Sequence, residues 1–426
     1  MTTVYRAGAV HTPDHPAATA LVVEAGTVVW AGPAAAARSR SGEPTVVDLG
    51  DTLVTPAFVD AHAHTTETGL LLRGVDCRTA RSLGALLDLV AAAAAGGPGP
   101  ILGHGWDETL LAERRPPTAA ELQRAAPGVP VYLSRIDGHS AVISPALASS
   151  SHAAALPGWS PDGRVERDAH HAARDATRTH LAPPARREAQ LAALRAAAAE
   201  GIAAVHEMSA PHIVPEDDLR ALVALTAEPG QTLPHVVAYR GVLVQTPHEA
   251  RQLIDRLGVP VAGLAGDLCI DGSIGSRTAA WYQDYADAPG CRGHLYLDID
   301  QIRDHVAACT RAGVQAGFHV IGDAAVEAAR QGLRRAAERV GIAAVRTARH
   351  RLEHVEAIDR EGIADLADLG VTASVQPAFE ALWGGAAGMY AARLGPDRQA
   401  ALKPLNALSR ARVPLALGSD SPVTPF

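Results

Sequence analysis

Two histidines, His62 and His64, close an apolar run at 53–61. In a strand, residues i and i+2 point to the same side. Read as a strand, the run delivers two imidazoles to one point at its C-terminal end. Neutral imidazoles are ligands for a borderline divalent metal such as zinc. His-x-His alone is as often chance as a site. Three later strand-like runs, however, end in the same way. His319 closes Gly317-Phe318-His319, His354 closes Arg351-Leu352-Glu353-His354, and Asp420 follows Leu415-Ala416-Leu417-Gly418-Ser419. Each of these residues alone reads first as a satisfied core group. Four imidazoles and a carboxylate at the same end of successive elements read as a metal centre with an acid–base group beside it.

These residues are remote in sequence, so the fold must bring strand ends to a common mouth. Candidate strands lie at 53–62, 202–206, 235–240, 266–271, 315–319, 350–354, 371–376 and 414–419. Helical patterns fill most gaps, most clearly at 300–311, 324–340 and 359–369. Strands separated by helices imply parallel pairing with right-handed crossovers. Eight such strands close a (β/α)8 TIM barrel, whose active sites lie at the C-terminal strand ends. The expected fold class is therefore α/β. Residues 1–52 read as a small N-terminal β-sandwich portion, with a hairpin turning at Ala25-Gly26. Residues 53–426 read as the barrel. Within it, 70–200 is too long for one crossover and holds extra strand-like runs at 101–106 and 131–136. It reads as an insertion after the first barrel strand, either a cap over the active-site face that sets substrate choice or a packing decoration.

Bulk properties agree with a globular enzyme. The chain has 426 residues, 47% hydrophobic and 20% charged, with a net charge of −8. That charge argues against a nucleic-acid or acidic-membrane partner. Four isolated cysteines, with no Cys-x-x-Cys, suit reduced thiols in a cytoplasmic protein. Neither a signal peptide nor an apolar run long enough to span a bilayer is expected.

The motifs together resemble the metal-dependent amidohydrolase superfamily, and within it the YtcJ-like branch that includes N-substituted formamide deformylases. The resembling segments are Thr55-Pro56-Ala57-Phe58-Val59-Asp60-Ala61-His62-Ala63-His64, Asp271-Gly272-Ser273-Ile274-Gly275-Ser276-Arg277-Thr278-Ala279, Phe318-His319-Val320-Ile321-Gly322-Asp323, Arg351-Leu352-Glu353-His354, Ser374-Val375-Gln376-Pro377 and Gly418-Ser419-Asp420-Ser421-Pro422-Val423. The resemblance implies metal and catalytic positions at His62, His64, His319, His354 and Asp420. Two departures stand out. The branch carries a metal-bridging lysine on the fourth strand, where this chain has Asp267. Asp267, Cys269 and Asp271 alternate and are expected to share a face. The reading adopted is one divalent metal, zinc, with two metals bridged by Asp267 or Cys269 as the alternative. The family also continues past position 426 with strands that complete the N-terminal sandwich. Those strands are expected to be absent, leaving edges and a face of the small sheet open.

The expected reaction is hydrolysis of a non-peptide C–N bond, in an amide or formamide-type small molecule. A metal lowers the pKa of water and polarises a carbonyl. Asp420 would move the proton from water to the departing nitrogen. His139 in Asp137-Gly138-His139, His206 at the end of the second strand, and Arg277 are candidates for substrate contact, each with a structural role as the alternative. Trp106, Trp281 and Trp383 read first as packing, and His170-His171 as a solvated pair on a helix. A deaminase of a cyclic amidine or aminated ring would use the same residues. Outside catalysis, the alternative is a degenerate paralogue that binds a small molecule. A homo-oligomer is left open. There is no Gly-x-Ser-x-Gly, His-Glu-x-x-His, Gly-x-Gly-x-x-Gly or Walker loop, so those chemistries have no support.

Overall fold

The computed structural model describes residues 2–37, 44–97, 99–178, 181–228 and 232–426. They fall into two compact units, Met1–Phe58 and Val59–Phe426.

In the first unit, Thr2–Arg6 pairs antiparallel with Ala20–Glu24 and parallel with Thr45–Asp48, and Thr27–Gly32 adds the far edge. The hairpin turns where expected, with Ala25 and Gly26 both at positive φ (49° and 81°), as tight hairpins require. Val4, Ala20, Val22 and Ala37 form its core. Val28, Val29 and Val46 remain exposed. Leu53–Val54 pairs with Ala9–Val10. The expected strand 53–62 is thus two pieces: Leu53 and Val54 serve the small unit, and the barrel strand begins at Phe58.

The second unit is a TIM barrel. Among the described residues, eight strands pair in chain order: Phe58–Ala63, Ile202–Ser209, His235–Arg240, Gly263–Leu264, Gln315–Val320, Arg351–His354, Thr372–Val375 and Leu415–Leu417. The ring closes between the first and last strands. Asp420 N donates to His62 O at 2.7 Å, and His64 N donates to Ser421 O at 2.8 Å. The helices Ile299–Ala312, Asp323–Val340 and Arg360–Leu369 wrap the sheet much as expected. The first has a capping box, Asp298 with Gln301, and stops at Gly313 in the left-handed region. Their apolar faces bury Ile302, Val306, Leu333, Leu366 and Leu369 against Phe318 and Leu352 of the strands.

The fourth strand departs from the expectation of 266–271. Regular pairing is confined to Gly263–Leu264. Gly266 then bends the chain at φ 92°, where an added Cβ would lie 2.8 Å from the Met208 sulfur. Beyond the bend, only Cys269 rejoins the sheet, by a bridge to His319.

Between the first two strands, helices Thr65–Arg73 and Pro183–Ala199 pack so closely that a Cβ on Gly69 would meet Ala189 O at 1.8 Å. The inserted elements lie between these helices, a narrower span than 70–200. They form a five-stranded sheet in the order Arg164–Glu166, Ser140–Ile143, Val131–Arg135, Ile101–Trp106 and Val75–Asp76. Val131–Arg135 pairs parallel with Ile101–Trp106 and antiparallel with Ser140–Ile143. Two of these strands are the runs seen in the sequence. Trp106 is buried, with its indole N–H on Leu133 O at 2.8 Å. No helix among the described residues is long and apolar enough to cross a membrane.

Candidate metal centre

The site begins with the barrel's seam. Asp60 is buried and accepts the N–H of His62 at 3.1 Å and of Ser419 at 3.0 Å, so it ties together the two strand ends that carry His62 and Asp420. His62 Nδ1 meets Glu353 Oε2 at 2.8 Å. This fixes the ring so that Nε2 points at Asp420 Oδ1 (3.4 Å) and Asp267 Oδ1 (3.5 Å). His64 Nε2 lies 3.2 Å from both Asp267 Oδ2 and Asp420 Oδ1. The His354 ring stands 5.0 Å from His62 and 4.5 Å from His319, and His354 Nδ1 meets Gln376 Oε1 at 2.7 Å. His319 Nε2 meets Gly272 O at 3.1 Å, and its Nδ1 is 3.9 Å from Asp267 Oδ1. His354, Val355 and Asp420 all have positive φ (70°, 48° and 58°). Such backbone strain collects at functional sites.

Three overlapping donor groups result: His62, His354 and Asp420; His62, His64 and Asp267; and Asp267, His319 and His354. In each, the ligand atoms lie within 4.8 Å of one another. A divalent ion fits this set. The donors are imidazole nitrogens and carboxylate oxygens, which suit zinc-type coordination. His62 Nε2 and Asp267 Oδ1 are buried without a hydrogen-bond partner, a costly state that a shared cation relieves. Burial depresses the basicity of His62, but Asp420, Glu353 and Asp267 outweigh it and push the pKa up to about 10. Surplus negative charge therefore faces the ring. Burial and the neighbouring His319 pull His354 down to about 3, so that ring is neutral.

Outer partners complete the centre. Glu353 is fully buried and clamped by Arg351, whose Nη2 also donates to Ala61 O at 2.7 Å and Ser374 Oγ at 2.9 Å. A carboxylate on the far nitrogen of a metal-binding histidine sets its tautomer and orientation. Glu353 and Gln376 were not singled out in the sequence. The signal was there for one of them, since Arg351 and Glu353 are charges at i and i+2 in a buried strand.

The other candidates divide. His139 lines the cavity above the cluster, its ring 4.9 Å from His319. His206 does not reach the cavity wall. Its Nδ1 is 3.1 Å from Arg351 Nη1 and its ring stacks near Tyr239, behind the cluster. Arg277 is also elsewhere: its guanidinium is bidentate to Asp287 (2.9 and 2.8 Å), which anchors the loop. Asp267 and Cys269 line the cavity, but Asp271 does not share their face. It accepts N–H bonds from Ala280, Ile321 and Gly322 (2.8, 2.9 and 2.8 Å), because strand alternation ends with the single bridge at Cys269. His170 and His171 are not solvated: His170 is 1% exposed, and both line the cavity. The cavity holds about 510 Å³, within the usual range for a small-molecule site.

Comparisons with known proteins agree with this geometry. The chain is similar to protein LONG AFTER FAR-RED 3 of Arabidopsis thaliana, with 25% identity over 98% of this chain and 74% of that protein. It is similar to YtcJ of Bacillus subtilis (strain 168), which bears the name of an amidohydrolase, with 26% identity over 95% of this chain and 78% of that protein. Among solved structures, an uncharacterized metal-dependent hydrolase from Pyrococcus horikoshii OT3 superposes with a TM-score of 0.75 at 25% identity, covering 100% of this chain and 84% of that one. The pattern of the Amidohydrolase family matches residues 45–426, and the chain belongs to that family, in its YtcJ-like branch.

Proposed function

We propose that this metal-dependent hydrolase cleaves a non-peptide C–N bond of an amide or formamide type. The observation that carries the reading is the clustering of His62, His64, His319, His354, Asp267 and Asp420 in three overlapping donor groups, all but His62 lining the cavity. His62, His64, His319, His354 and Asp267 would hold a divalent ion, zinc by the chemistry of the donors. Such an ion, when bound, supplies Lewis-acid polarisation of the carbonyl and lowers the pKa of the attacking water.

The chain's own groups do the rest. The Asp420 carboxylate is held well below the usual carboxylate range: burial raises it, but the His62 charge and hydrogen bonds from His62 and His64 prevail. Asp420 is thus ionised and open to a proton from water, which it returns to the departing nitrogen. Water oxygen joins the acyl carbon, the C–N bond breaks, and an acid and an amine leave. His139 is kept neutral, its pKa pulled to about 4 by burial and by His319. A neutral imidazole there can hydrogen-bond the acyl oxygen without competing with a cation.

The test pairs metal analysis of purified protein with amine release from a panel of N-formyl and N-acetyl amines. The expected result is bound zinc and turnover that a chelator abolishes. Protein that takes up no divalent metal, or that releases ammonia from aminated rings and no amine from acyl amides, overturns the reading.

A further inference from the structure

The helix Arg167–Arg178 lines one wall of the cavity with His170, His171, Arg174, Thr177 and Arg178. Spacings of three and four put these on one face. Two of them are guanidinium groups, and one is in direct contact with a carboxylate. Arg178 pairs with Glu67. Among the described residues, no carboxylate lies within 4.0 Å of the Arg174 guanidinium. Neutral groups hold Arg174 instead: Nη2 donates to the Gly138 carbonyl, and Nε lies 3.4 Å from Tyr132 Oη. Tyr132 Oη in turn bonds His170 Nε2 at 2.7 Å. Arg174 Nη1 has no hydrogen-bond partner among the described residues. The surrounding imidazoles add no charge. Burial first, and then neighbouring positive groups, hold His170 and His212 well below the usual range and His171 at about 4.

A guanidinium steered into a cavity wall, with part of its fork unused and no carboxylate in contact although Glu67 and Asp267 act on it through space, is a receptor for an anion. We propose that Arg174 anchors a carboxylate on the substrate, making the substrate class an N-acyl amino acid or a close relative. This rests on the amide-hydrolase reading and deepens it. One guanidinium on this wall has no touching carboxylate, and the nearby carboxylates Glu67 and Asp267 disfavour a dianion, so a carboxylate suits the site better than a phosphate. The anchor is close to the chemistry: Arg174 bonds the carbonyl of Gly138, the neighbour of His139, whose ring is 4.9 Å from His319. The carboxylate must therefore lie only a few bonds from the scissile carbonyl, as in an α-acylamino acid. Leu70, Leu71, Leu102, Ile213 and Leu243 also line the cavity and receive an apolar side chain.

The experiment compares zinc-loaded wild-type, Arg174→Met and Arg174→Lys proteins on N-acetylleucine and its uncharged analogue N-acetylleucinamide. The readout is the ratio of kcat/KM for acid over amide, which cancels general damage to the fold. Wild type is expected to prefer the acid. Arg174→Met lowers the ratio about 10- to 100-fold, the range for a charge-assisted hydrogen-bonded pair, mainly through KM for the acid. Arg174→Lys restores part of it. A wild-type ratio near one, or a ratio unmoved in Arg174→Met, overturns the proposal. If neither compound turns over, the amide-hydrolase reading has failed, and calorimetric binding of N-acetylleucine decides the anion site separately. Tighter binding to wild type than to Arg174→Met sustains it; equal or no binding overturns it.

Discussion

Asp267 Oδ1 and His62 Nε2 face each other 3.5 Å apart, both buried and neither with a hydrogen-bond partner. Asp267 stands in two of the three donor groups, at the position where the YtcJ-like branch carries a bridging lysine. Two carboxylates, Asp267 and Asp420, balance the charge of one dication, so one zinc per chain is expected by mass spectrometry of the metal content. Asp267→Asn keeps the shape and removes one charge. It should weaken zinc binding at least about tenfold, measured by competition with a chromogenic chelator. Two ions per chain would overturn the single-metal reading in favour of a pair bridged by Asp267 or Cys269.

Glu353 acts one step behind the metal. It orients His62 through a 2.8 Å contact and balances the buried Arg351. Glu353→Gln keeps a hydrogen-bond acceptor for His62 but leaves the guanidinium without its counter-charge. The expected outcome is a zinc affinity lowered about 10–100-fold and a loss of stability of about 3–5 kcal/mol from the unpaired buried charge. Thermal unfolding and metal titration check the two effects independently. A variant with wild-type Tm and affinity would remove Glu353 from the positioning role.

Much of this is legible in the sequence. The barrel strands are short apolar runs between amphipathic helices, and their buried ends carry the histidines and Asp420. What was hidden depended on contacts across the chain. The segment at 266–271 alternates like a strand, yet pairing stops at Leu264 because Gly266 turns the backbone. Ser140–Ile143 and Arg164–Glu166 are too short to announce themselves, and their pairing with Val131–Arg135 and with each other makes them strands. His170 and His171 looked like a surface pair because their helix is rich in charge. Arg174 and Arg178 of that helix also line the cavity. His206 was expected at the mouth, but it sits a layer behind, against Arg351.

The barrel is expected to be acid-labile for reasons separate from the metal. His305 bonds Val244 N and Leu264 O and is buried; His350 bonds Ala316 N and Thr310 Oγ1 and is buried. Burial pulls their pKa values to about 4 and about 3, from an ordinary value near 6.5. Between those limits the unfolded chain binds more protons than the folded one, so stability rises with pH through the window and is lost as pH falls below about 6.5. At pH 5 the cost is roughly 2 kcal/mol per histidine. Tm measured from pH 7.5 to 5 should fall steeply in wild type and less steeply in a His305→Gln/His350→Gln variant. Parallel curves would mean that other groups set the acid limit.

The last prediction separates chemistry from metal binding. Asp420 is held at the barrel seam, its N–H on His62 O at 2.7 Å and its carbonyl accepting from Val423 N at 2.8 Å. Asn fits the same backbone and the same hydrogen bonds, but its amide cannot take a proton from water or pass one to nitrogen. The other donors, His62, His64, His319, His354 and Asp267, remain. Asp420→Asn should therefore lower kcat by about 10²–10⁴-fold while the protein retains most of its metal. Turnover of the best N-acyl substrate and metal content, measured on the same preparation, make the comparison. If metal and activity fall together, Asp420 is a ligand first and the proton shuttle must lie elsewhere. In that case His139, a neutral imidazole outside the donor groups whose ring lies 4.9 Å from His319 on the cavity wall, is the residue to replace next.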